Sequence, residues 1–284
     1  MKTVVITGAT SGIGLAIARE LLKKGYGVIG VGHSQNNTLE VWRQLQGEYP
    51  NLFIWYTYGD LLQQTEVKRT AEEIIQVLQK QCQGQLYALI NNAGCVRSWY
   101  ATTQEGYEHQ FALNHLAGFL LTHYLLPYLK KGSGKVIFTG SASHKHTKMR
   151  WDDLMFQKRY HPLLAYKQTK LANLLLAVAL NERCQKDGVR AYVVDPGLVN
   201  TEIGLKETGS LVRAVWRVRK KGGVSAQKAA STYVMLCQQL SPDGLYYRFC
   251  REERCSKYVE MQSANRLFRI SEELCGICFG KEEA

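Results

Sequence analysis

The chain has 284 residues, of which 45% are hydrophobic, and this composition suits one large α/β domain and argues against disorder of the whole chain. The 36 Lys and Arg residues against 24 Asp and Glu give a net charge of +12, which favours an anionic cofactor, a membrane surface or nucleic acid without choosing among them. Eight cysteines in a chain of this length do not indicate a disulfide framework, so a reducing compartment is the better interpretation.

The first residues, MKTVVITG, begin a strand pattern by residue 2 or 3 and do not have the charged and apolar regions of a secretory signal. The sequence also has no apolar run long enough to span a bilayer. We therefore expect a cytoplasmic protein, with peripheral attachment to a membrane as the alternative.

Short β-rich segments alternate along the chain with helical patterns. The β-rich segments are TVVIT (3–7), GVIGV (27–31), LFIWY (52–56), LYALI (86–90), KVIFT (135–139) and RAYVV (190–194). The helical patterns cover 12–24, 64–82, 105–130, 163–186 and 224–239. This alternation predicts a single α/β domain over 1–284, with a doubly wound parallel sheet of about seven strands flanked by helices. Ligands of such sheets bind beyond the carboxyl ends of the strands.

A glycine-rich turn, TGATSGIG (7–14), joins the first strand to the first helical pattern. Gly8 permits a tight turn, while Gly12 and Gly14 allow another group to approach the backbone closely. The start of the following helix offers free N–H groups to a pyrophosphate. The alternative is a glycine-rich turn without a ligand, but its position between a strand and a helix favours dinucleotide binding.

The segment LLAYKQTKLANLLLAVAL (163–180) places Tyr166 and Lys170 one helical turn apart near the start of a largely apolar helix. A tyrosine has an ordinary pKa near 10, and lowering it by about three units requires roughly 4 kcal/mol. A cation about 4 Å away in a medium of effective dielectric near 20 supplies about that amount. Lys170 is therefore expected to make Tyr166 a usable acid and base. The alternative is an interfacial tyrosine beside a lysine that extends to solvent.

The ordered motifs resemble those of the short-chain dehydrogenase/reductase superfamily over residues 3 to about 203. They are TGATSGIG, NNAG (91–94), Asn114 in ALNHLAGFLLT, Ser141 in FTGSASH, the Tyr166 and Lys170 pair, and PGLVNT (196–201). The segments NHLAGFLLT, YKQTKLANLLL and DPGLVNTE are most similar to the retinol dehydrogenase-like branch, which includes the WW-domain oxidoreductases. The resemblance implies a Rossmann fold and a nicotinamide-dependent oxidoreductase.

The resemblance also implies four catalytic residues. Tyr166 would exchange a proton with the substrate oxygen while hydride moves to or from the nicotinamide, and Ser141 would hydrogen-bond the same oxygen. Lys170 would bind the nicotinamide ribose, and Asn114 would position a water between this lysine and solvent. As plain structural residues, Asn114 would be a polar group in a helix kink and Ser141 a turn residue.

The remaining positions that match the family pattern are expected to bind the cofactor. Together with Tyr166 and Lys170 these are Gly8, Thr10, Ser11, Gly12, Ile13, Gly14, His33, Ser34, Asp60, Leu61, Asn91, Ala93, Gly94, Pro196, Gly197, Val199 and Thr201. Asp60 and Leu61 would lie at the adenine, and Thr201 at the nicotinamide carboxamide. Each could alone be an ordinary turn or cap residue.

The segment after the second strand, GVIGVGHSQNNT, has no acidic residue that would repel a 2′-phosphate. The aligned position often carries an arginine in the branch, and here it is His33. His33, Ser34 and Asn36 offer hydrogen-bond donors, so NADP(H) is favoured over NAD(H).

The segment 200–223 is predicted to be a substrate lid, because family enzymes carry one there. Its part GSLVRAVWRVRKKGG (209–223) alternates apolar and basic residues, which suits a lid over a small lipophilic substrate and peripheral membrane contact through 209–221. An ordinary helix with a solvated basic face explains it equally well. Family enzymes often form homodimers through the helices at 105–130 and 163–186, although LANLLLAVAL suits the core equally. A C-terminal extension is expected at 245–284.

Two further sequence features, a pair of histidines and a C-terminal CGIC motif, are interpreted as ordinary structural residues. His144 and His146 lie between Ser141 and Tyr166, where a solvated or substrate-lining loop is favoured over a metal site, so no metal is expected. The CGIC motif (275–278) lacks a thioredoxin or zinc context, which favours reduced thiols. Two other functions are alternatives to the enzyme: a catalytically silent regulatory protein that binds cofactor, and a nucleic-acid-binding module. Intact catalytic positions argue against the former and the missing recognition motif against the latter.

Overall fold

A computed structural model describes residues 1–199, 223–239 and 242–279. Within these residues, eight strands form one sheet in the order β3-β2-β1-β4-β5-β6-β7-β8. The strands are β1 (Thr3–Thr7), β2 (Gly27–Gly32), β3 (Ile54–Tyr58), β4 (Ala88–Asn91), β5 (Lys135–Thr139), β6 (Arg190–Asp195), β7 (Tyr246–Arg248) and β8 (Arg251–Glu252). Strands β1 to β7 pair in parallel, and only β8 pairs antiparallel, with β7. The predicted doubly wound α/β sheet is confirmed, with one strand more than expected.

Helices cover both faces of the sheet. They are α1 (Gly12–Lys23), α2 (Gln35–Glu48), α3 (Gln64–Gln81), α4, α5 (Pro162–Cys184), α6 (Ala226–Gln238) and α7 (Met261–Cys275). We use α4 for three consecutive segments: His109–Phe111, a π-helical Ala112–Leu116 and Ala117–Lys131. Short 3₁₀ turns span Ala142–His146 and Gln185–Asp187.

Alternate residues of the strands enter two hydrophobic cores. In β1, Val5 packs into the core shared with α3, α4, α5 and α7, whereas Val4 and Ile6 pack into the core shared with α1, α2 and α6. Successive side chains of a strand point to opposite faces, and here both faces are covered by helices. This is why TVVIT and KVIFT are nearly uninterrupted apolar runs rather than alternating ones.

The sequence analysis did not predict α2, α7, β7 or β8. The predicted C-terminal extension is therefore part of the fold: Tyr246 pairs with Val193 in the sheet, and Phe268 of α7 is buried against Phe119 of α4 with ring centroids 5.1 Å apart. The predicted lid, apart from Gly223, and the membrane-contact segment at 209–221 lie outside the described residues, as does Thr201.

Candidate active site

The turn between β1 and α1 requires glycine at several positions. Gly8 and Gly12 have φ of +65° and +54°. A Cβ atom on Gly14 would lie 2.1 Å from the carbonyl oxygen of Gly8, so the turn closes on itself only without a side chain there. The turn leads into α1 with its first backbone N–H groups lacking intrahelical acceptors, which is the geometry that binds anions.

Ser11 occupies the N-cap position of α1, and its side chain caps no amide of the described chain. The first turn of α1, GIGL, carries no acidic side chain that would occupy the helix N-terminus. Both features leave the positive end of the helix dipole available to a phosphate group. The residues of this turn therefore fit a pyrophosphate.

The end of β4 holds the glycine turn in place. Asn92 donates through Nδ2 to the carbonyl oxygen of Thr7 at 3.0 Å, and Thr7 Oγ1 accepts from the backbone N–H groups of Asn92 and Ala93, each at 3.0 Å. Asn92 is not among the site residues predicted from the NNAG motif. Asn91 is buried, and its Nδ2 donates to Thr122 Oγ1 of α4 at 3.3 Å, so it supports the sheet beneath the cavity.

A cavity of about 690 Å³ opens at the carboxyl edge of β1, β2 and β4. Its size lies within the range of small-molecule and cofactor sites. Nine predicted residues line it: Gly8, Thr10, Ser11, His33, Ser34, Asp60, Leu61, Ala93 and Gly94. Seven lining residues were not predicted: Val31, Gly32, Asn37, Gly59, Leu62, Arg97 and Leu113. Among the described residues, nine predicted cofactor-binding positions are outside this lining: Gly12, Ile13, Gly14, Asn91, Tyr166, Lys170, Pro196, Gly197 and Val199.

One end of the cavity brings His33 and Asp60 together. The His33 ring is 77% exposed, and its Nδ1 lies 3.7 Å from Asp60 Oδ1, which also accepts from the backbone N–H of Leu62 at 3.2 Å. Asp60 therefore places a carboxylate beside His33 that the local sequence of β2 does not reveal. Arg97 brings a permanent positive charge to the cavity wall.

Ser141, Tyr166 and Lys170 converge where β5 ends. Ser141 is the N-cap of the first 3₁₀ turn, where its Oγ accepts from the backbone N–H of Ser143 at 3.2 Å, and its side chain lies close enough to Tyr166 to lower the pKa of that residue. Lys170 lies one turn further along α5, with Nζ 5.4 Å from the centre of the Tyr166 ring, and it donates to the carbonyl oxygen of Thr139 at 2.9 Å. Lys170 is only 5% exposed.

The protonation of this pair differs from the expectation that Lys170 lowers the pKa of Tyr166. Burial raises the pKa of Tyr166, the charge of Asp195 raises it further, and the hydrogen bond from Ser141 lowers it only in part. Burial also lowers the pKa of Lys170 to about 8, against smaller raising effects of Cys95 and Asp195. Desolvation therefore dominates the pKa of both groups, and the Lys170 ammonium donates to the Thr139 carbonyl oxygen.

Asn114 lies in the π-helical part of α4 and is 5% exposed. It makes a reciprocal pair with the backbone of Cys95, accepting from its N–H at 2.7 Å and donating to its carbonyl at 3.0 Å. Its Nδ2 also donates to Thr169 Oγ1 at 3.1 Å. A Cβ atom on Gly94 would lie 2.9 Å from Asn114 Oδ1, so glycine is needed for this approach. The wider π turn thus places the amide between the β4 loop and α5.

His144 is fully buried, which corrects the expectation of a solvated or substrate-lining position. Its Nδ1 lies 2.7 Å from the Ser141 carbonyl oxygen, and its Nε2 accepts from the backbone N–H of Ser256 at 3.2 Å. Within the described chain, no group of three His, Cys, Asp or Glu residues could hold a metal ion. Cys275 ends α7, and burial raises the pKa of its thiol to about 12, so it is not a reactive thiolate.

The helices in the part of the chain that the structure covers include none that is both long and apolar enough to cross a membrane.

Asp195, at the end of β6, is a buried carboxylate that sequence reasoning missed. The signal that could have found it is an acidic residue ending the apolar run RAYVV.

Comparisons with known proteins agree with this arrangement. The profile of the short chain dehydrogenase family matches residues 2–209. Retinol dehydrogenase 12 of Mus musculus is 35% identical over 281 residues, which cover 97% of this chain and 87% of that protein. Polyprenol dehydrogenase of Homo sapiens is 34% identical over 209 residues, which cover 71% of this chain and 62% of that protein.

Solved structures share the fold. A crystal structure of an uncharacterized protein from Mycobacterium paratuberculosis superposes with a TM-score of 0.76 and 28% identity, covering 98% of this chain and 95% of that one. An NADPH-bound carbonyl reductase from chicken fatty liver superposes with a TM-score of 0.68 and 21% identity, covering 90% of this chain and 99% of that one. The chain therefore belongs to the short-chain dehydrogenase family of oxidoreductases, in its retinol dehydrogenase-like branch.

Proposed function

We propose that this protein is an NAD(P)-dependent oxidoreductase that transfers hydride between the nicotinamide and a lipophilic alcohol or carbonyl compound. The observation that most supports this proposal is the convergence of Ser141, Tyr166, Lys170 and Asn114 at the carboxyl edge of the sheet. The glycine turn with its open helix N-terminus lies at the same edge and supports a dinucleotide in the adjoining cavity.

The bound nicotinamide supplies or accepts the hydride, and the protein moves the proton. In the reductive direction the Tyr166 hydroxyl donates its proton to the substrate oxygen, which becomes the alcohol hydroxyl. Ser141 hydrogen-bonds the same oxygen and fixes its distance from Tyr166. Lys170 can return a proton to the tyrosinate, because its pKa of about 8 lies close to neutral pH. Asn114, bonded to the Cys95 backbone, orders the route from Lys170 towards solvent.

The raised pKa of Tyr166 has a directional consequence. At neutral pH the hydroxyl is protonated and ready to serve as an acid, whereas alcohol oxidation requires it to accept a proton. We therefore expect carbonyl reduction to proceed at neutral pH, and alcohol oxidation to accelerate as the pH rises. The positive charge of an oxidised nicotinamide would lower this pKa in the complex.

We favour NADP(H) over NAD(H). The loop after β2 has His33 and Ser34 rather than an acid, and Ser34 caps no amide of the described chain, which leaves its hydroxyl available. Arg97 adds a cation to the cavity wall. Asp60, 3.7 Å from His33, opposes this preference at close range, so the discrimination is expected to be modest rather than absolute.

A lipophilic substrate is supported by the similarity to retinol and polyprenol dehydrogenases. The basic and apolar segment 209–221 would supply a lid and a peripheral membrane contact. Cytoplasmic location and a homodimer through α4 and α5 complete the proposal, and no role in nucleic-acid binding is included. The second candidate is a silent cofactor-binding protein, and the same experiment distinguishes the two.

The test measures oxidation of NADPH and NADH by the purified protein with retinal, steroid ketones, isoprenoid aldehydes and small quinones. Tyr166→Phe is the matched variant, because it removes the hydroxyl and keeps the ring. Turnover that Tyr166→Phe loses while it retains cofactor affinity would support the enzyme. Cofactor binding with no turnover of any of these compounds would favour the silent protein.

A further inference from the structure

Asp195 is the last residue of β6 and is 3% exposed. Its Oδ1 accepts from the backbone N–H of Gly197 at 2.8 Å. Its Oδ2 accepts from the backbone N–H of Ala142 at 2.9 Å and from the Tyr246 hydroxyl at 3.0 Å. The side chain of Arg248 contributes a cation, with Nε 3.6 Å from Oδ2. Three donors and a neighbouring cation compensate this buried carboxylate for its lost hydration.

These contacts join three segments that are distant in sequence. Ala142 directly follows Ser141, so its amide fixes the backbone from which the Ser141 side chain projects. Gly197 belongs to the turn after β6, where φ is +76°, and Tyr246 belongs to β7. One carboxylate therefore sets the position of the serine turn, by which we mean Ser141 and the 3₁₀ turn Ala142–His146, relative to the end of β6 and the C-terminal strand.

His144 supports the same turn from the other side. Its Nδ1 bonds the Ser141 carbonyl oxygen and its Nε2 accepts from the Ser256 amide. Its ring also meets the Tyr246 ring edge-on, with the centroids 4.9 Å apart. The C-terminal segment 246–256 thus contacts both Asp195 and His144, the two side chains that hold the serine turn.

We propose that Asp195 is a positioning residue of the reaction: it holds the Ser141 turn through Ala142 and keeps a negative charge beside Tyr166. This inference deepens the proposed function and rests on it. Asp195 does not need to touch the substrate, because it acts through the backbone next to Ser141 and through the field at Tyr166.

The charge has a measurable consequence. After burial, Asp195 is the largest cause that raises the pKa of Tyr166, and it also raises the pKa of Tyr246 and Tyr233. Titratable or charged groups that face this centre come from several elements: Cys95, His144, Lys170, Tyr233, Tyr246 and Arg248. Burial lowers the pKa of His144, which favours its neutral form. Among them, Asp195 is the group whose charge directly opposes a tyrosinate.

Two variants separate the charge from the hydrogen bond. Asp195→Asn removes the charge, and its single oxygen can serve Gly197 or Ala142 but not both. Ala142→Pro removes the backbone N–H that donates a hydrogen bond to Asp195 and leaves the carboxylate intact. Proline is tolerated at the first position of a helical turn, and Ser141 before it is extended, with φ −169° and ψ 147°, as a residue preceding proline should be.

The experiment combines hydrogen exchange of the free protein with pH profiles of NADPH-dependent carbonyl reduction. We expect both variants to exchange the amides of 139–146 roughly ten-fold faster, because a hydrogen bond that orders this turn is lost. Both should lower kcat at least about ten-fold through misplacement of Ser141. Only Asp195→Asn should move the basic limb of the profile, by about one pH unit towards lower pH, since Asp195 raises the pKa of Lys170, which lies at about 8, as well as that of Tyr166.

Wild-type exchange and kcat in both variants would overturn the positioning role. An unmoved basic limb in Asp195→Asn would overturn the role of the charge. If Asp195→Asn does not fold, Ala142→Pro still decides the positioning role through exchange and kcat. If wild-type protein reduces no carbonyl compound, the proposed function fails, whereas the exchange measurement still reports whether Asp195 orders the serine turn.

Discussion

Replacing Lys170 by methionine is predicted to stabilise the protein while abolishing its activity. Burial lowers the Lys170 pKa from its ordinary value of 10.5 to about 8, so the folded state holds this proton less tightly than the unfolded state does. At pH 7 this difference costs about 3 kcal/mol of folding free energy, at 1.36 kcal/mol per pKa unit. Methionine fills a similar volume without the charge. Loss of the hydrogen bond to Thr139 offsets roughly 1 kcal/mol of this stabilisation, which leaves the free energy of unfolding of the variant about 2 kcal/mol above that of wild type.

The sign and pH window of this effect follow from the lowered pKa. The cost of the lysine is fully present below pH 8 and declines as the pH rises from 8 towards 10.5, where the folded state is already neutral and the unfolded state loses its proton. The remaining cost at pH 10 is about 1 kcal/mol, which the lost hydrogen bond cancels. The variant should therefore exceed wild-type stability at pH 7 and match it at pH 10.

The measurement is urea unfolding of cofactor-free protein at pH 7 and pH 10, for wild type, Lys170→Met and Lys167→Met. Lys167 lies on the same helix but is partly exposed, so its substitution controls for the loss of a lysine as such. Equal stability of Lys170→Met and wild type at pH 7, or a gain that persists unchanged at pH 10, would refute the reasoning that burial of the ammonium dominates this site.

Three further predictions concern the cofactor cavity and Asn114. Gly14→Ala should weaken NADPH binding at least ten-fold in a fluorescence titration, because its Cβ would lie 2.1 Å from a backbone oxygen. The control is Gly47→Ala, whose Cβ meets no described atom within 4 Å, and it should bind NADPH normally in the same titration. His33→Arg should tighten NADPH binding about ten-fold and leave NADH unchanged by calorimetry, whereas equal effects on both would contradict a 2′-phosphate contact. Asn114→Ala should lower kcat about 100-fold with little change in NADPH affinity, and an unchanged kcat would remove Asn114 from the proton route.

The elements that the sequence predicted well are those whose residues carry a strong local pattern. The six predicted strands overlap β1 to β6, because strands covered on both faces are continuous apolar runs bounded by turns. Helix α2 was missed because its sequence, QNNTLEVWRQLQGE, buries only Thr38, Val41 and Leu45. Strand β8 has two residues and β7 has three, too few for any periodicity, and they form because β6 and its neighbours offer an edge.

The site residues likewise divide into those that a local sequence pattern predicts and those that depend on residues distant in the chain. The glycine turn, the Tyr166 and Lys170 spacing and the strand-end positions can be deduced locally, because a helical turn or a βα junction fixes which residues meet. Arg97 carries no local sign that it reaches the cavity. His144 was assigned to a loop facing solvent or substrate, since its partner Ser256 is 112 residues away in the chain.

The sequence by itself determined the alternation of strands and helices, the turn that fits a pyrophosphate and the choice of candidate reacting groups, because these depend on residues a few positions apart. Only the tertiary structure decided the direction in which their pKa values shift. The pKa values of Tyr166 and Lys170 depend on how much water the surrounding segments exclude and on Asp195, which β6 brings beside α5. Burial and electrostatic fields are sums over neighbours in space, and a local sequence pattern does not contain them.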